Sequence, residues 1–402
     1  MSNLKPTEQQ LKFLDWEMGV FLHFGIRTFY EGHKDWDMQI MSPDRFNPSE
    51  LDCEQWIQTI KAAGAKYAIL VCKHHDGFAN WPSKYTEYSV ANTPWKNGKG
   101  DVVREFTDAC RKYDIKIGLY YSPADFEAKK RTGKEHDDFF ISQISELLTN
   151  YGKIDYLWFD GCGSEGHQYD EKRIVDTIRT MQPEIMIFNM WDPDTRWVGN
   201  ECGIANLDNS NVVKKLNFSV LTDKKETLAA ERFLPVECDC ILRYNNWFYS
   251  DQDADTVKSI DELMGMYESS VGRGANLLIN IAPDRRGLLP DRDAARLIEF
   301  GDEIKRRYQT PLASFEKDKI TFTKPELINQ VVLQEDLQYG ENIKEFEIWI
   351  KPYLGDREFL VYKGERIGHK RICAFPAVRV AEITVKTIGE NASVTGGVYY
   401  IK

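Results

Sequence analysis

The chain has 402 residues, which is more than one ordinary hydrophobic core needs and enough for a barrel-sized domain plus a smaller one. Its 42% hydrophobic and 29% charged residues are typical of a globular protein, and a formal net charge of −11 argues against a nucleic-acid partner. No stretch of about 18 apolar residues occurs, so the sequence predicts no membrane span.

From residue 16 to about residue 310, short apolar runs alternate with longer amphipathic segments. The predicted strands are 20–24, 67–72, 116–122, 156–160, 185–190, 218–222, 236–242 and 276–281. The predicted helices are 53–63, 101–113, 139–151, 261–270 and 291–307. This alternation predicts a parallel sheet covered by helices, and about eight strands favour a (β/α)8-like barrel over an open doubly wound sheet.

The pattern changes at about Pro311, where strand-like runs separated by Gly, Pro and Asn follow one another without helices. These predicted strands are 319–322, 330–333, 343–350, 359–363, 377–385 and 397–401. They indicate an antiparallel β-sandwich. We therefore predict an α/β barrel domain over residues 1–312 and a C-terminal β-sandwich domain over residues 313–402.

The eight cysteines occur singly, several of them inside apolar runs typical of buried thiols. No Cys or His spacing matches a zinc site, and we predict neither a metal nor a cofactor. Reduced thiols fit the cytoplasm, and the first residues show no apolar segment of a secretory signal. A periplasmic or secreted protein whose signal had been removed would have the same composition.

Polar and aromatic residues follow almost every predicted barrel strand, at the edge where this fold carries its functional groups. The fourth strand ends in Trp158-Phe159-Asp160-Gly161. An Asp in this position can simply cap a turn. Here the two aromatic rings lower the local dielectric and Gly161 permits close approach of a ligand, so the pattern favours a functional carboxylate at Asp160.

The adjacent His74 and His75 follow the second strand and could be a metal pair, a catalytic couple or contacts to hydroxyl groups. Neighbouring residues at a strand end point in opposite directions, which argues against one shared metal. A neutral imidazole donates through one nitrogen and accepts through the other, which suits sugar hydroxyls. A buried structural histidine stays open as an alternative for each.

Glycoside hydrolysis needs two carboxyl groups, a nucleophile and a proton donor. Glu201 is the first candidate for the donor because it lies in a loop beyond the fifth strand, between Trp197 and Gly203. Glu237 is the rival, although a carboxyl group inside a strand could equally be a buried structural partner. The residue pattern leaves both open.

These residues resemble the α-L-fucosidases, retaining glycoside hydrolases with a (β/α)8-like domain and a C-terminal β-sandwich. The resemblance rests on the segments 19–25, 73–78, 81–83, 100–103, 118–122, 158–161 and 276–280, followed by Pro283 and Gly287. The segments 158–161 and 196–201 are similar to the branch selective for α-1,3/1,4-linked fucose. The chain departs from the family pattern at Phe24, where Trp is usual, and in the loop 162–168.

The resemblance implies a fucosylated oligosaccharide as substrate, Asp160 as nucleophile and Glu201 as acid/base. Glu237 is the fallback, because other members place the acid/base in a segment similar to 237–239. The resemblance implies that the substrate-binding residues include His23, Asp35, Trp36, His74, His75 and Trp158. We add Tyr121, Trp197 and Trp247 as candidates, and we expect Trp247 or Phe248 to face the fucose methyl group. A non-catalytic fucose-binding protein and a related glycosidase for another sugar are the alternatives, and the oligomeric state is not predicted.

Overall fold

The computed structural model describes residues 4–32, 37, 39–127, 131–164, 166–217, 225–315, 317–389 and 393–402. The strands before residue 300 are β1 (Met18–Leu22), β2 (Tyr67–Lys73), β3 (Lys116–Tyr121), β4 (Tyr156–Phe159), β5 (Met186–Phe188), β6 (Arg196–Trp197), β7 (Val212–Asn217), β8 (Lys225–Phe233), β9 (Val236–Ile241) and β10 (Asn276–Asn280).

Eight of these strands form one parallel sheet in the order β5-β4-β3-β2-β1-β10-β9-β6. The two ends of this order approach each other at a parallel bridge between Phe188 and Thr195. The sheet is therefore a nearly closed barrel, and the predicted fold class is confirmed. Its central strands are buried on both faces, as expected for a parallel sheet with helices outside and packed side chains within.

The helices are α1 (Glu8–Trp16), α2 (Cys53–Ala62), α3 (Val102–Tyr113), α4 (Lys134–Asn150), α5 (Glu171–Met181), α6 (Ile260–Ser270) and α7 (Asp291–Tyr308). Asp52, Asp101 and Asp170 begin α2, α3 and α5, and each side chain accepts a hydrogen bond from a backbone amide of the first turn. Within the described ranges, no helix combines the length and the apolar character that a membrane crossing requires.

The sixth barrel position differs from the prediction. The predicted strand 218–222 lies outside the described residues, and the position is filled by β6, in a segment predicted to be a loop. A strand of two residues has no periodicity that a sequence pattern could reveal. β7 and β8 form a separate antiparallel ribbon beside it.

The C-terminal strands are β11 (Ala313–Ser314), β12 (Lys319–Glu335), β13 (Ile343–Pro352), β14 (Phe359–Gly364), β15 (Arg371–Gly389) and β16 (Val394–Tyr399). They pair antiparallel in the order β11-β16-β12-β15-β13-β14. The runs predicted at 319–322 and 330–333 belong to one long strand, β12, whose pairing with β15 shifts register twice. This sheet encloses its own core, which includes Val331, Ile348, Ile383 and Val398.

Candidate active site

A cavity opens where the barrel strands end at their C-terminal edge. It is lined by Phe21, His23, His74, His75, Tyr120, Trp158, Phe159, Asp160, Gly161, Cys162, Phe188, Asn189, Trp197, Glu201, Asp239 and Trp247. Aromatic rings and hydrogen-bonding groups alternate around it, which suits a ligand with apolar faces and polar edges.

Asp160 follows β4 directly, and each of its carboxylate oxygens is held by one donor. The Tyr120 hydroxyl donates to Oδ2 at 2.9 Å, and the backbone amide of Cys162 donates to Oδ1 at 2.8 Å. The side chain keeps 25% of its surface exposed toward the cavity. An oriented and accessible carboxylate can attack an electrophilic carbon or stabilise positive charge beside it.

His23 presents a defined tautomer. The Asn280 amide oxygen accepts from the His23 backbone amide at 3.3 Å and lies 2.8 Å from Nδ1, while the Asn280 amide nitrogen donates to the Trp247 carbonyl at 2.7 Å. Nδ1 therefore carries the proton, and Nε2 is an acceptor. Burial lowers the pKa of His23 to about 3, so the ring is neutral throughout the physiological range.

His75 is oriented in a similar way. The Ser122 hydroxyl donates to the Ala124 carbonyl at 2.8 Å, so its oxygen accepts from Nδ1 of His75 at 2.5 Å. Nε2 then faces Oδ2 of Asp160 at 3.6 Å. A ring nitrogen of His75, a carboxylate oxygen of Asp160 and Sγ of Cys162 lie within 4.8 Å of one another, a set of atoms that could bind a metal ion.

His74 and His75 both line the cavity, contrary to the expectation that they point in opposite directions. β2 ends at Lys73, after a register shift between Val71 and Lys73, so the alternation of a regular strand does not extend to the two histidines. The His74 ring stacks on Tyr120 with ring centroids 5.6 Å apart and an interplanar angle of 10°.

Trp158 forms part of the cavity wall and stacks on Phe188 with centroids 4.2 Å apart. Its indole nitrogen donates to Oε1 of Glu237 at 2.8 Å, and the Tyr67 hydroxyl donates to Oε2 at 2.6 Å. Glu237 is 1% exposed, and burial raises its pKa to about 7. Glu237 does not line the cavity; it lies in the barrel interior and holds Trp158.

Glu201 and Asp239 place a second group of carboxyls at the cavity. Glu201 is exposed, whereas Asp239 is buried and accepts a hydrogen bond from the indole nitrogen of Trp197 at 2.7 Å. Burial, together with the charge of Glu201, raises the pKa of Asp239 well above its usual range.

Tyr121 is not part of the cavity, and its neighbour Tyr120 lines the cavity instead. The Tyr121 hydroxyl donates to Oε1 of Gln143 on α4 at 2.6 Å, and its ring packs against Phe140. The side chain therefore points to the helical layer outside the barrel. Trp247 lines the cavity with its ring 4.9 Å from that of His23.

Two of the predicted binding residues, Asp35 and Trp36, lie outside the described residues. The sequence pattern did not identify Tyr120, Asn189 or Asp239 as site residues, although each lies within or directly beside a predicted strand. Asn189 has a left-handed backbone with φ 60°, and its side-chain oxygen accepts from the Trp197 amide at 3.0 Å. That backbone conformation gives no signal in sequence.

A family model described as Alpha-L-fucosidase matches residues 1–307. The chain is 37% identical to α-L-fucosidase 1 of Arabidopsis thaliana over 320 residues, which are 77% of this chain and 62% of that protein. It thus spans less than two thirds of the length of this relative. It is 26% identical to the tissue α-L-fucosidase of Homo sapiens over 328 residues, 71% of this chain and 65% of the human protein.

Solved structures show the same similarity. A glycoside hydrolase 29 family member from an unknown rumen bacterium superposes with a TM-score of 0.88 at 33% identity, over 99% of this chain and 77% of that one. A Ruminococcus gnavus GH29 fucosidase in complex with fucose superposes with a TM-score of 0.86 at 25% identity, over 99% and 95% of the two chains. The chain belongs to the α-L-fucosidase family of glycoside hydrolases.

Proposed function

We propose that the protein releases terminal α-linked L-fucose from oligosaccharides or glycoconjugates by double displacement. The observation that carries the proposal is the Asp160 carboxylate, oriented by two donors in a cavity that also contains Glu201. Asp160 attacks the anomeric carbon while Glu201 protonates the departing oxygen. Glu201 then removes a proton from water, which hydrolyses the fucosyl-enzyme with net retention.

The neutral His23 supports recognition of a sugar, because its Nε2 can accept a hydrogen bond from a hydroxyl group. His74 and His75 lie in the same cavity, and Trp158 contributes an aromatic wall against which a sugar can pack. Fucose has a methyl group where other hexoses carry a 6-hydroxyl. Trp247 is the proposed wall for this methyl group, since Phe248 is buried against His23 and His74 and does not line the cavity.

Glu201 is preferred over Glu237 as acid/base because of its position. Glu201 lines the cavity from an exposed loop, where a leaving group and water can reach it. Glu237 is enclosed by the hydroxyl of Tyr67 and the indole of Trp158. Buried Asp239 places a second carboxyl group on the same side of the cavity as Glu201.

Azide rescue tests these roles with 4-nitrophenyl α-L-fucoside. Asp160→Gly should be inactive alone and should form the inverted β-fucosyl azide when azide is added. Glu201→Ala should instead form the α-fucosyl azide, whereas Glu237→Ala should give no azide product. A retained product from Asp160→Gly, or an azide product from Glu237→Ala alone, would contradict the assignment. Fucose binding without any hydrolysis by the unaltered protein would favour the non-catalytic alternative.

For the linkage we propose a preference for α-1,3 and α-1,4 bonds, based on the similarity of segments 158–161 and 196–201 to that branch of the family. The second segment includes β6 and leads to Glu201, so it borders the side from which the leaving group departs. Matched α-1,2-, α-1,3-, α-1,4- and α-1,6-fucosyl oligosaccharides test this preference. Equal kcat/KM on all four would contradict it, even if the fucosidase activity itself were found.

A further inference from the structure

Three side chains with different ligand atoms, those of His75, Asp160 and Cys162, converge at the cavity. A ring nitrogen of His75, an oxygen of Asp160 and Sγ of Cys162 lie within 4.8 Å of one another, and Nε2 of His75 is 3.6 Å from Oδ2 of Asp160. His75 and Cys162 are buried, while Asp160 is partly exposed to the cavity. The cluster is therefore enclosed on one side and open to solvent molecules on the other.

The separations are close to those of a zinc site. Zinc binds nitrogen and oxygen at about 2.0–2.2 Å and sulfur at about 2.3 Å, which places the ligands of a tetrahedral site about 3.4–3.6 Å from one another. The 3.6 Å between His75 and Asp160 matches this spacing, and the separations to Sγ of Cys162, which are at most 4.8 Å, would have to fall within the same range. Three protein ligands would leave a fourth position for water on the cavity side.

The orientation of His75 supports a cation more directly. Its Nδ1 donates to Ser122, which itself donates to a backbone carbonyl, so Nε2 is oriented toward Asp160. In most metal-binding histidines, the ring nitrogen that does not bind the metal donates such a hydrogen bond and thereby orients the ring.

The described lining of the cavity does not oppose a cation. Glu201 and Asp239 line the same cavity, and among the described residues that line it there is neither Lys nor Arg. The neighbouring ammonium of Lys73 is buried and pairs with Asp125 at 2.8 Å, outside the lining. An entering cation therefore meets no lysine or arginine charge from the described residues that line the cavity.

We propose that His75, Asp160 and Cys162 form an inhibitory site for a zinc-like divalent cation. His75 binds through its lone pair, Asp160 through a carboxylate oxygen, and Cys162 as a thiolate after its proton passes to solvent. Sulfur and imidazole ligands favour Zn²⁺, Cd²⁺ and Co²⁺ over Mg²⁺ and Ca²⁺. The bound ion blocks Asp160, so metal and fucoside exclude each other; only this inhibitory consequence rests on the proposed function.

Binding is measured directly on the chelator-treated protein, first with Zn²⁺ by calorimetry and then with Co²⁺ by absorption spectroscopy. One equivalent should bind, and Co²⁺ should give a thiolate charge-transfer band in the near ultraviolet. Cys162→Ala should lose this band and weaken Zn²⁺ binding by about tenfold or more, because one of three ligands is removed. Cys162→Ser, which keeps the size of the side chain, should behave in the same way.

The matched control is Cys202→Ala, which removes an exposed thiol outside the cavity lining and should leave the band and the affinity unchanged. Inhibition by Zn²⁺ should be competitive with the fucoside, reversed by chelator and not reproduced by Mg²⁺. Absent binding, unchanged affinity in both Cys162 variants, or loss of the band in Cys202→Ala would overturn the proposal. Since the Co²⁺ spectrum requires no substrate, failure of the site and failure of the fucosidase activity are distinguishable.

Discussion

The substitution Glu237→Gln separates the charge of a buried carboxyl group from its shape. Glu237 is 1% exposed, and the effect of burial outweighs the hydrogen bonds from Tyr67, Trp158 and Tyr156. Its pKa consequently rises from 4.5 to about 7. Between these two pH values the folded protein holds a proton that the unfolded chain has released.

The sign and size of the effect follow from this difference. Because the folded state binds more protons than the unfolded state, stability falls as pH rises from 4.5 to about 7. The stabilisation of the folded state by the proton on Glu237 is complete below pH 4.5 and is lost above about pH 7. At about 1.4 kcal/mol per pH unit, this amounts to about 3 kcal/mol. Gln stays neutral at every pH, so Glu237→Gln does not lose this contribution. The free energy of unfolding of the variant, relative to that of the wild type, should therefore increase by about 3 kcal/mol from pH 4.5 to pH 8.

Urea unfolding followed by tryptophan fluorescence at a series of pH values measures the difference between the two proteins. Other titrating groups are common to both and cancel. Glu8→Gln, which alters an exposed carboxylate on α1, is the control and should give a difference that is constant within about 0.5 kcal/mol. Parallel curves for Glu237→Gln and wild type would refute the reasoning, and an opposite slope would mean that the three donors stabilise the ionised carboxylate.

Tyr120→Phe removes one of the two donors to Asp160 and should lower kcat by about 10- to 100-fold on 4-nitrophenyl α-L-fucoside; a loss below about threefold would contradict this role. Asn280→Ala removes the acceptor that fixes the tautomer of His23, so kcat/KM should fall by about tenfold, and full activity would show that the tautomer does not matter. The α-L-galactoside differs from the α-L-fucoside by a 6-hydroxyl. Trp247→Ala should lower the ratio of kcat/KM for the fucoside to kcat/KM for the galactoside by about tenfold, and an unchanged ratio would contradict this role.

The barrel could be predicted because its strands are long enough to show as apolar runs between amphipathic helices. β2, β3 and β4 begin at the predicted residues Tyr67, Lys116 and Tyr156. The exceptions have local causes. β6 has two residues, and β12 contains the polar stretch 323–326 across a register shift, so its pattern breaks where the strand continues. The pairing of strands, not their composition, defines these elements.

The sequence allowed the cavity residues at the end of a barrel strand to be predicted. His23, Trp158 and Asp160 each lie at such an end and meet in one cavity. The choice between Tyr120 and Tyr121 was not predictable, because both faces of β3 are buried and alternation gives no inside and outside. The register decides: Tyr120 pairs with Trp158, so both side chains lie on the inner face of the barrel.

The segment Glu237-Cys238-Asp239 shows that a sequence does not give the depth of a residue in the barrel, even when it is known which side chains of the strand point inward. Glu237 and Asp239 are two residues apart on β9, so they point to the same side, and a strand rises about 3.3 Å per residue. Asp239 is therefore about 7 Å farther along the strand toward the open end of the barrel, where it lines the cavity beside Glu201. Glu237 lies one layer deeper, where the indole of Trp158 reaches it from above. Depth along the barrel axis thus separates the carboxyl group that holds an aromatic wall from the one that adjoins the chemistry.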